Sequence, residues 1–307
     1  MSKCAVWRKL GRLFVPGQYE WMRTHAQNPL PESLGSGFYR VHFAGRDKDN
    51  RARGGSFVFD INQPQKILEL CERPTLDLGS LGAFDDAGVM PSALIDFRGS
   101  KYLYYTGWSR TVDVPFAFHI GLSVSTDDGK TYARASRAPV LGRNHFDPYV
   151  TAAPYVLEEN GKLRMWYTSC TKWVRPEGEG RPKHYYTVKH ATSHDGFDWE
   201  CSDHLCLNYE DEEYALARPV VWKENGRYVM WFTFRGGTES YRVGIATSVD
   251  GITWQRQPQS LGIDVGPDDW DDEMICYAHP IFSDGNCYAL YNGNGYGETG
   301  IGLAVFE

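Results

Sequence analysis

The sequence predicts an all-β fold: one domain over residues 1–307, a five-bladed β-propeller of four-stranded antiparallel blades with its ring closed by the N-terminal strand. The first observation is a repeated segment: GFYRVHFAG (37–45), GSKYLYYTG (99–107), GKLRMWYTS (161–169), GRYVMWFTF (226–234) and GNCYALYNG (285–293). Each opens on a turn glycine and runs on apolar and aromatic, as a buried strand does. Glycines 37, 99, 161, 226 and 285 lie 62, 62, 65 and 59 residues apart. The second is a proline ahead of each copy, at Pro29, Pro91, Pro154, Pro219 and Pro280. The third is a downstream Asp-Gly turn, at Asp128-Gly129, Asp195-Gly196 and Asp250-Gly251.

These features order four strands per unit. The proline-led segment and the glycine-led segment form a hairpin across clusters such as Glu159-Asn160-Gly161. A third strand runs into the Asp-Gly turn, and an aromatic three residues past the glycine (Tyr132, Trp199, Trp254) begins the fourth. The last unit stops at GIGLAVFE, one strand short, and residues 6–17 (VWRKLGRLFVPG) match the missing strand, with Trp7 in the place of Trp199 and Trp254. Pairing of the two chain ends would hide the free sheet edges. Apolar residues do not recur at helical spacing over any long window, so little helix is expected.

Composition narrows the function. Aromatic residues make up 14% of the chain, which suits both strands and sugar-binding surfaces. The net charge is -7 and the densest basic stretch, 46–53, is broken by Asp47 and Asp49, so no nucleic-acid partner is expected. Cys4, Cys71, Cys170, Cys201, Cys206, Cys276 and Cys287 are odd in number without CxxC spacing, which points to free thiols in a reducing compartment. Lys3, Arg8, Lys9 and Arg12 precede no apolar run, and no stretch is long enough to span a bilayer. A cytoplasmic protein without a membrane partner is expected. Nine scattered histidines and the lack of HExxH, GxSxG or a phosphate loop predict neither a metal site nor a cofactor.

In a propeller the residues just before the innermost strands converge on the central funnel. Here these are His25 and Gln27, then Asp85 and Asp86, then Asp147, then Glu213, Tyr214 and Arg218, then Trp270, Asp271, Asp272 and Glu273. Carboxylates gathered in one cavity push their pKa values apart, which suits one as acid and one as base in cleaving a glycosidic bond. Trp108 and Trp270 are placed to stack on a sugar ring, Asn292 to contact hydroxyls, and Arg46, Arg218 and Arg235 to hold an anionic group. Each has a plainer reading beside it. Asp before a strand also caps turns, with Asp85 the more natural turn-former and Asp86 the funnel residue. His25 also fits a structural histidine, Arg46-Asp47 a local ion pair, and Cys276 a packed thiol.

On these repeats, the Ser193–Trp199 and Ser248–Trp254 turns and the acidic strand starts, the chain resembles the five-bladed β-propeller glycoside hydrolases: arabinanases, xylosidases, fructosidases and mannoside phosphorylases. Through stretches such as GRDKDNRAR, FDDAGVMPS, ARPVVWKENG and WDDEMICYAHP it is similar to glycosidase-like proteins of bacterial polysaccharide biosynthesis. The resemblance implies catalytic roles for Asp86, Glu213 and Glu273, with Asp147 in reserve. It implies an enzyme that cleaves or transfers a glycosidic or glycosyl-phosphate linkage on a saccharide or sugar-phosphate ligand. One departure stands against hydrolysis. The first unit reads THAQNP where the superfamily carries an Asp, leaving His25 or Gln27 in its place. The alternative is a non-catalytic carbohydrate-binding or scaffold propeller.

Overall fold

The computed structural model describes residues 6–178, 180–267 and 270–307, so Lys3 and Cys4 lie outside it. Regular structure in the described chain is almost entirely strand. β1 (Trp7–Phe14) is followed by an antiparallel run of β2 (Thr24–Gly35), β3 (Phe38–Arg46), β4 (Ala52–Asp60) and β5 (Ile67–Leu70). A second run holds β6 (Gly88–Phe97), β7 (Ser100–Ser109), β8 (Ala117–Ser125) and β9 (Ala133–Arg134). A third holds β10 (Thr151–Glu159), β11 (Lys162–Val174), β12 (Lys183–Ser193) and β13 (Glu200–Leu205). A fourth holds β14 (Glu213–Glu224), β15 (Arg227–Gly236), β16 (Arg242–Ser248) and β17 (Gln255–Ser260). The last is β18 (Cys276–Ser283), β19 (Asn286–Asn292) and β20 (Ile301–Phe306), and β1 pairs antiparallel with β20 at its outer edge.

Among the described residues these runs make three sheets, because single parallel bridges, Ala52 with Gly88 and Tyr186 with Ala215, join first run to second and third to fourth. The inner hairpins turn where the sequence places Gly. Ser36-Gly37, Arg98-Gly99, Asn160-Gly161, Asn225-Gly226 and Asp284-Gly285 all have positive φ at both positions. That is the twist of a type I′ turn, and it fixes strand register. The only helical pieces among the described residues are a 3-10 turn at Glu20–Met22 and a single turn at Asn294–Gly297. Among the described residues no helix is long and apolar enough to cross a membrane.

A recurrent bond ties four of the five runs to the next. The eighth residue of the repeated segment is Thr106, Thr168, Thr233 or Asn292, and its side chain accepts a backbone N–H from the following run: Ala153, Arg218, Tyr277 and Asn28 respectively. Asn292 therefore links the last run back to the first, at 2.9 Å, and also donates to the Ala26 carbonyl at 2.8 Å. In the first run Ala44 holds this place and has no side-chain acceptor.

That junction uses ions instead. Buried Glu32 accepts from Arg40 at 2.9 Å and His42 at 3.2 Å and pairs with Lys101 of the second run at 2.9 Å, while Arg40 also donates to the Asp128 carbonyl. Burial pushes the Glu32 carboxyl up, but hydrogen bonds from His42 and Lys101 outweigh it and hold the group down at about 2. A depressed folded pKa stabilises the fold above the unfolded value near 4.5, and that contribution drains away as pH falls toward 2. Glu32→Gln is expected to flatten this part of the acid stability profile. Urea unfolding between about pH 5 and pH 2 measures it, and an unchanged slope would exclude Glu32 as its source.

Candidate functional site

The first strands of the runs are bulged where they approach one another. Register breaks fall after Gln27 in β2, Ala152 in β10, Ala217 in β14 and Cys276 in β18. Asn28, Ala153, Arg218 and Tyr277 sit at these bulges with φ of 59°, 45°, 53° and 55°. A left-handed non-glycine residue costs on the order of 1–2 kcal/mol, and here it is held by the N–H bonds from the neighbouring run. The bulges turn residues of separate runs toward one space, a cavity of about 730 Å³ that Gln27, Asn28, Ala152, Ala153, Ala217, Arg218 and Tyr277 all line.

The cavity is cationic and aromatic. Arg218 is 1% exposed, and its Nη1 donates to the Ser92 carbonyl at 2.8 Å while its Nε and Nη2 have no partner. Arg46 donates to Gln27 Oε1 at 2.7 Å and to Asn50 at 3.0 Å, and its guanidinium lies 5.4 Å from the Trp108 ring. Behind the wall, Arg235 donates to the Tyr296 hydroxyl at 3.0 Å and to His184 at 3.1 Å. The Nε atoms of Arg46 and Arg235, Trp108 Nε1 and the Tyr186 hydroxyl are also buried without partners. Buried polar groups are normally paired, and these unpartnered donors gather at or beside one cavity. The same lining carries Phe116 stacked on Phe118 at 4.2 Å and His184 stacked on Tyr186 at 4.1 Å.

Burial, then the Arg235 charge, brings His184 down to about 3, and burial with the Arg46 charge does the same to His25, so both rings are neutral at pH 7. Burial pulls Arg218 down to about 10, which leaves it charged there. Among the described residues no carboxylate lines this cavity. The arrangement offers charge-assisted donors for an oxyanion and flat faces for a sugar ring. The pair of acids that a two-carboxylate cleavage needs is absent from the lining.

No family model matches the chain. The uncharacterized protein Rv1502 of Mycobacterium tuberculosis (strain ATCC 25618 / H37Rv) is 40% identical over 303 residues, which cover 98% of this chain and 99% of that protein. This chain belongs to the Rv1502 family. The uncharacterized protein MT1551 of strain CDC 1551 / Oshkosh matches with the same identity and extent. Among solved structures, a glycosyl hydrolase from Bacteroides ovatus superposes with a TM-score of 0.73 at 14% identity over 96% of this chain and 91% of its own. A thermostable family-43 glycoside hydrolase gives 0.68 at 14% identity over 96% and 92%. A further glycoside hydrolase gives 0.76 at 15% identity over 97% and 90%. The Rv1502-family chain thus shares the fold of the propeller glycoside hydrolases, as its repeats implied.

Of the residues expected at the site, the cavity brings together Gln27, Arg46, Trp108 and Arg218, with Arg235 touching its wall. The expected carboxylates lie elsewhere. Asp85, Asp147 and Asp271 are buried and accept the hydroxyls of Tyr105, Tyr167 and Tyr291 at 2.9, 2.9 and 3.0 Å. Each also meets a cation: Arg134 at 2.7 Å, Lys189 at 3.4 Å and Lys9 at 2.7 Å. Strand alternation explains this, since Tyr105 and Thr106 point to opposite faces and only the threonine side reaches the bulges. Glu213 holds the same kind of position and is clamped by Arg256 at 2.5 and 2.8 Å. Asp86 accepts the Gly82 N–H in its own turn. Glu273 is exposed, and its N–H donates to Asn294.

The other expected residues also lie off the lining. Asp47 closes its own loop by accepting from Arg51 and Arg53. Trp270 stacks on Tyr291 at 5.5 Å, on the face of the Asp271 clamp. Asn292 is buried and spends its amide on Asn28, Ala26 and Gly300. His25 is buried beside Thr24 at 2.9 Å, outside the lining. Sequence reasoning missed Arg110, Arg181, His184, Tyr186 and Tyr277. Arg181 and His184 come from the β11–β12 hairpin, whose extra length (Lys162–Val174 answered from Lys183) was the available signal.

Proposed function

We propose that this protein is a carbohydrate-binding propeller whose central cavity holds an anionic saccharide, and that it does not cleave glycosidic bonds through Asp86, Glu213 and Glu273. The observation that carries this is Arg218, which lines a cavity of about 730 Å³ while buried without a carboxylate partner and with two nitrogens unpaired. A buried, unpaired charge is strongly unfavourable unless a counter-ion arrives, and here the ligand supplies it. The chain is read as one domain, residues 1–307, of five four-stranded blades in a closed ring. The β1–β20 pairing and the Asn292–Asn28 bond support that reading. The free Cys71, Cys170, Cys201, Cys206, Cys276 and Cys287 support a cytoplasmic setting, and a place in polysaccharide assembly follows from the sequence resemblance.

A hydrolase or glycosyl transferase is the second reading, and the fold of the solved neighbours favours it. Calorimetric titration separates the two. Glucuronic acid and glucose 6-phosphate are expected to bind, with affinity falling as salt rises, while glucose gives no heat. Equal binding of glucose would sink the anionic reading. Glu273→Gln is expected to leave these affinities unchanged. If mass spectrometry shows an oligosaccharide cleaved by the wild type and intact with Glu273→Gln, the hydrolytic reading wins.

A further inference from the structure

We infer that the saccharide enters anion first, so that a terminal oxyanion, a phosphate monoester or a carboxylate ending the molecule, rests on Arg218 at the floor of the cavity while the sugar body faces the mouth. This rests on the proposal that the cavity takes an anionic saccharide, and adds where the charge lies and how the ligand must end.

Position comes first. Arg218 belongs to β14, yet its Nη1 reaches the Ser92 carbonyl of β6, and its charge acts on Tyr155 of β10 and on Tyr277 and His279 of β18. A guanidinium that meets the first strands of three other runs sits where those strands converge. It is 1% exposed and the neighbouring His279 is buried, so the space ends there. The other end of the same cavity is lined by the exposed loop residues Arg110, Thr111 and Arg181. The floor thus carries a charge with no solvent behind it, and the mouth is where solvent and ligand enter.

Arg218 Nη1 is taken by Ser92, and the unpartnered atoms are Nε and Nη2, the side of the guanidinium fork. That edge presents two parallel N–H donors, which match two oxygens of one carboxylate or phosphate. An arginine serving only as a plug would turn these donors onto backbone carbonyls, because leaving buried donors unmade costs their desolvation. An oxyanion inside a chain, such as a diphosphate esterified at both ends, needs room on both sides of Arg218. The Ser92 carbonyl takes one side of the guanidinium and the nearby His279 is buried.

Titration calorimetry on the full chain tests this with two pairs of probes. Glucose 6-phosphate is set against UDP-glucose, and glucuronic acid against its methyl ester. The terminal anions are expected to bind at least about tenfold more tightly than the blocked forms. Whichever pair shows the larger ratio distinguishes phosphate from carboxylate. Arg218→Lys, which keeps the charge and loses the fork, is expected to cost about tenfold for the terminal anions and nothing for the blocked forms. UDP-glucose binding as tightly as glucose 6-phosphate, or a folded Arg218→Lys with unchanged affinities, overturns the inference and leaves the anionic-saccharide reading standing. Silence from all the anionic probes overturns that reading itself. If Arg218→Lys does not fold, the ligand pairs on the wild type decide alone.

Discussion

Deletion of residues 1–16 lowers the melting temperature by about 10 °C or more, and the truncated chain aggregates on warming. β1 is the outer partner of β20 over Trp7 to Phe14, so its removal leaves the β20 edge unpaired. An open edge of that kind is a template for association with other chains. Three contacts leave with it. Phe14 is buried on Phe57 with ring centroids 4.7 Å apart, Trp7 meets Trp231 edge-on at 5.7 Å, and Lys9 pairs with buried Asp271 at 2.7 Å. Truncating a buried phenylalanine alone costs about 3–5 kcal/mol, and one kcal/mol moves the melting point of a domain this large by roughly 2–4 °C. Phe14→Ala is the graded companion, with a shift in the same direction and smaller. Differential scanning calorimetry reads both. A truncated chain with an unshifted transition would show that β1 is an ornament on a fold complete without it.

The strand pattern was legible because turns and alternation are local chemistry. Asn160-Gly161, Asn225-Gly226 and Asp284-Gly285 can take the two left-handed conformations a type I′ turn needs, and the structure uses all three so. The chain-end pairing was legible from Trp7 standing where Trp199 and Trp254 stand. At the site, Arg218 stands at a bulge beside the Pro219 that marks its strand, and Arg46 ends the strand that pairs with β2. Which face the carboxylates take was not legible, because distance from a proline gives an address along the chain without a face of the sheet. The missing signal was a second spacing. Asp85, Asp147 and Asp271 each have a tyrosine at i+20, Tyr105, Tyr167 and Tyr291, and each pair is hydrogen-bonded. A repeated Asp-to-Tyr interval inside a repeat unit describes a clamp between the entry loop and the second strand. A gathered catalytic set has no reason to repeat so regularly, since its members take different roles. His184 was hidden for another reason: it lies on a hairpin extension that the other units lack, so no repeat aligned it.

Asp147→Ala is then expected to destabilise the fold by about 3–5 kcal/mol, as breaking a buried ion pair from one side does, whereas Asp86→Ala and Glu273→Gln shift the melting point by little. Asp147 is fully buried and accepts from the Tyr167 hydroxyl at 2.9 Å and the Ser169 hydroxyl at 2.6 Å, with Lys189 Nζ 3.4 Å away. Its loss strands two hydroxyls and a lysine that is itself only 3% exposed. Lys189 keeps the Phe146 carbonyl at 2.7 Å and the exposed Asp203, which do not replace a buried counter-charge. The origin of the cost is separable from simple loss of packing. Adding Lys189→Met to Asp147→Ala removes the stranded charge, so the double variant is expected to recover part of the lost stability. A packing defect alone would make the two losses add. Urea denaturation of the four proteins of this cycle gives the coupling. Additive losses would show that Asp147 and Lys189 are independent, and destabilisation from Asp86→Ala as large as from Asp147→Ala would remove the distinction between clamp and surface carboxylates on which the reading of the site depends.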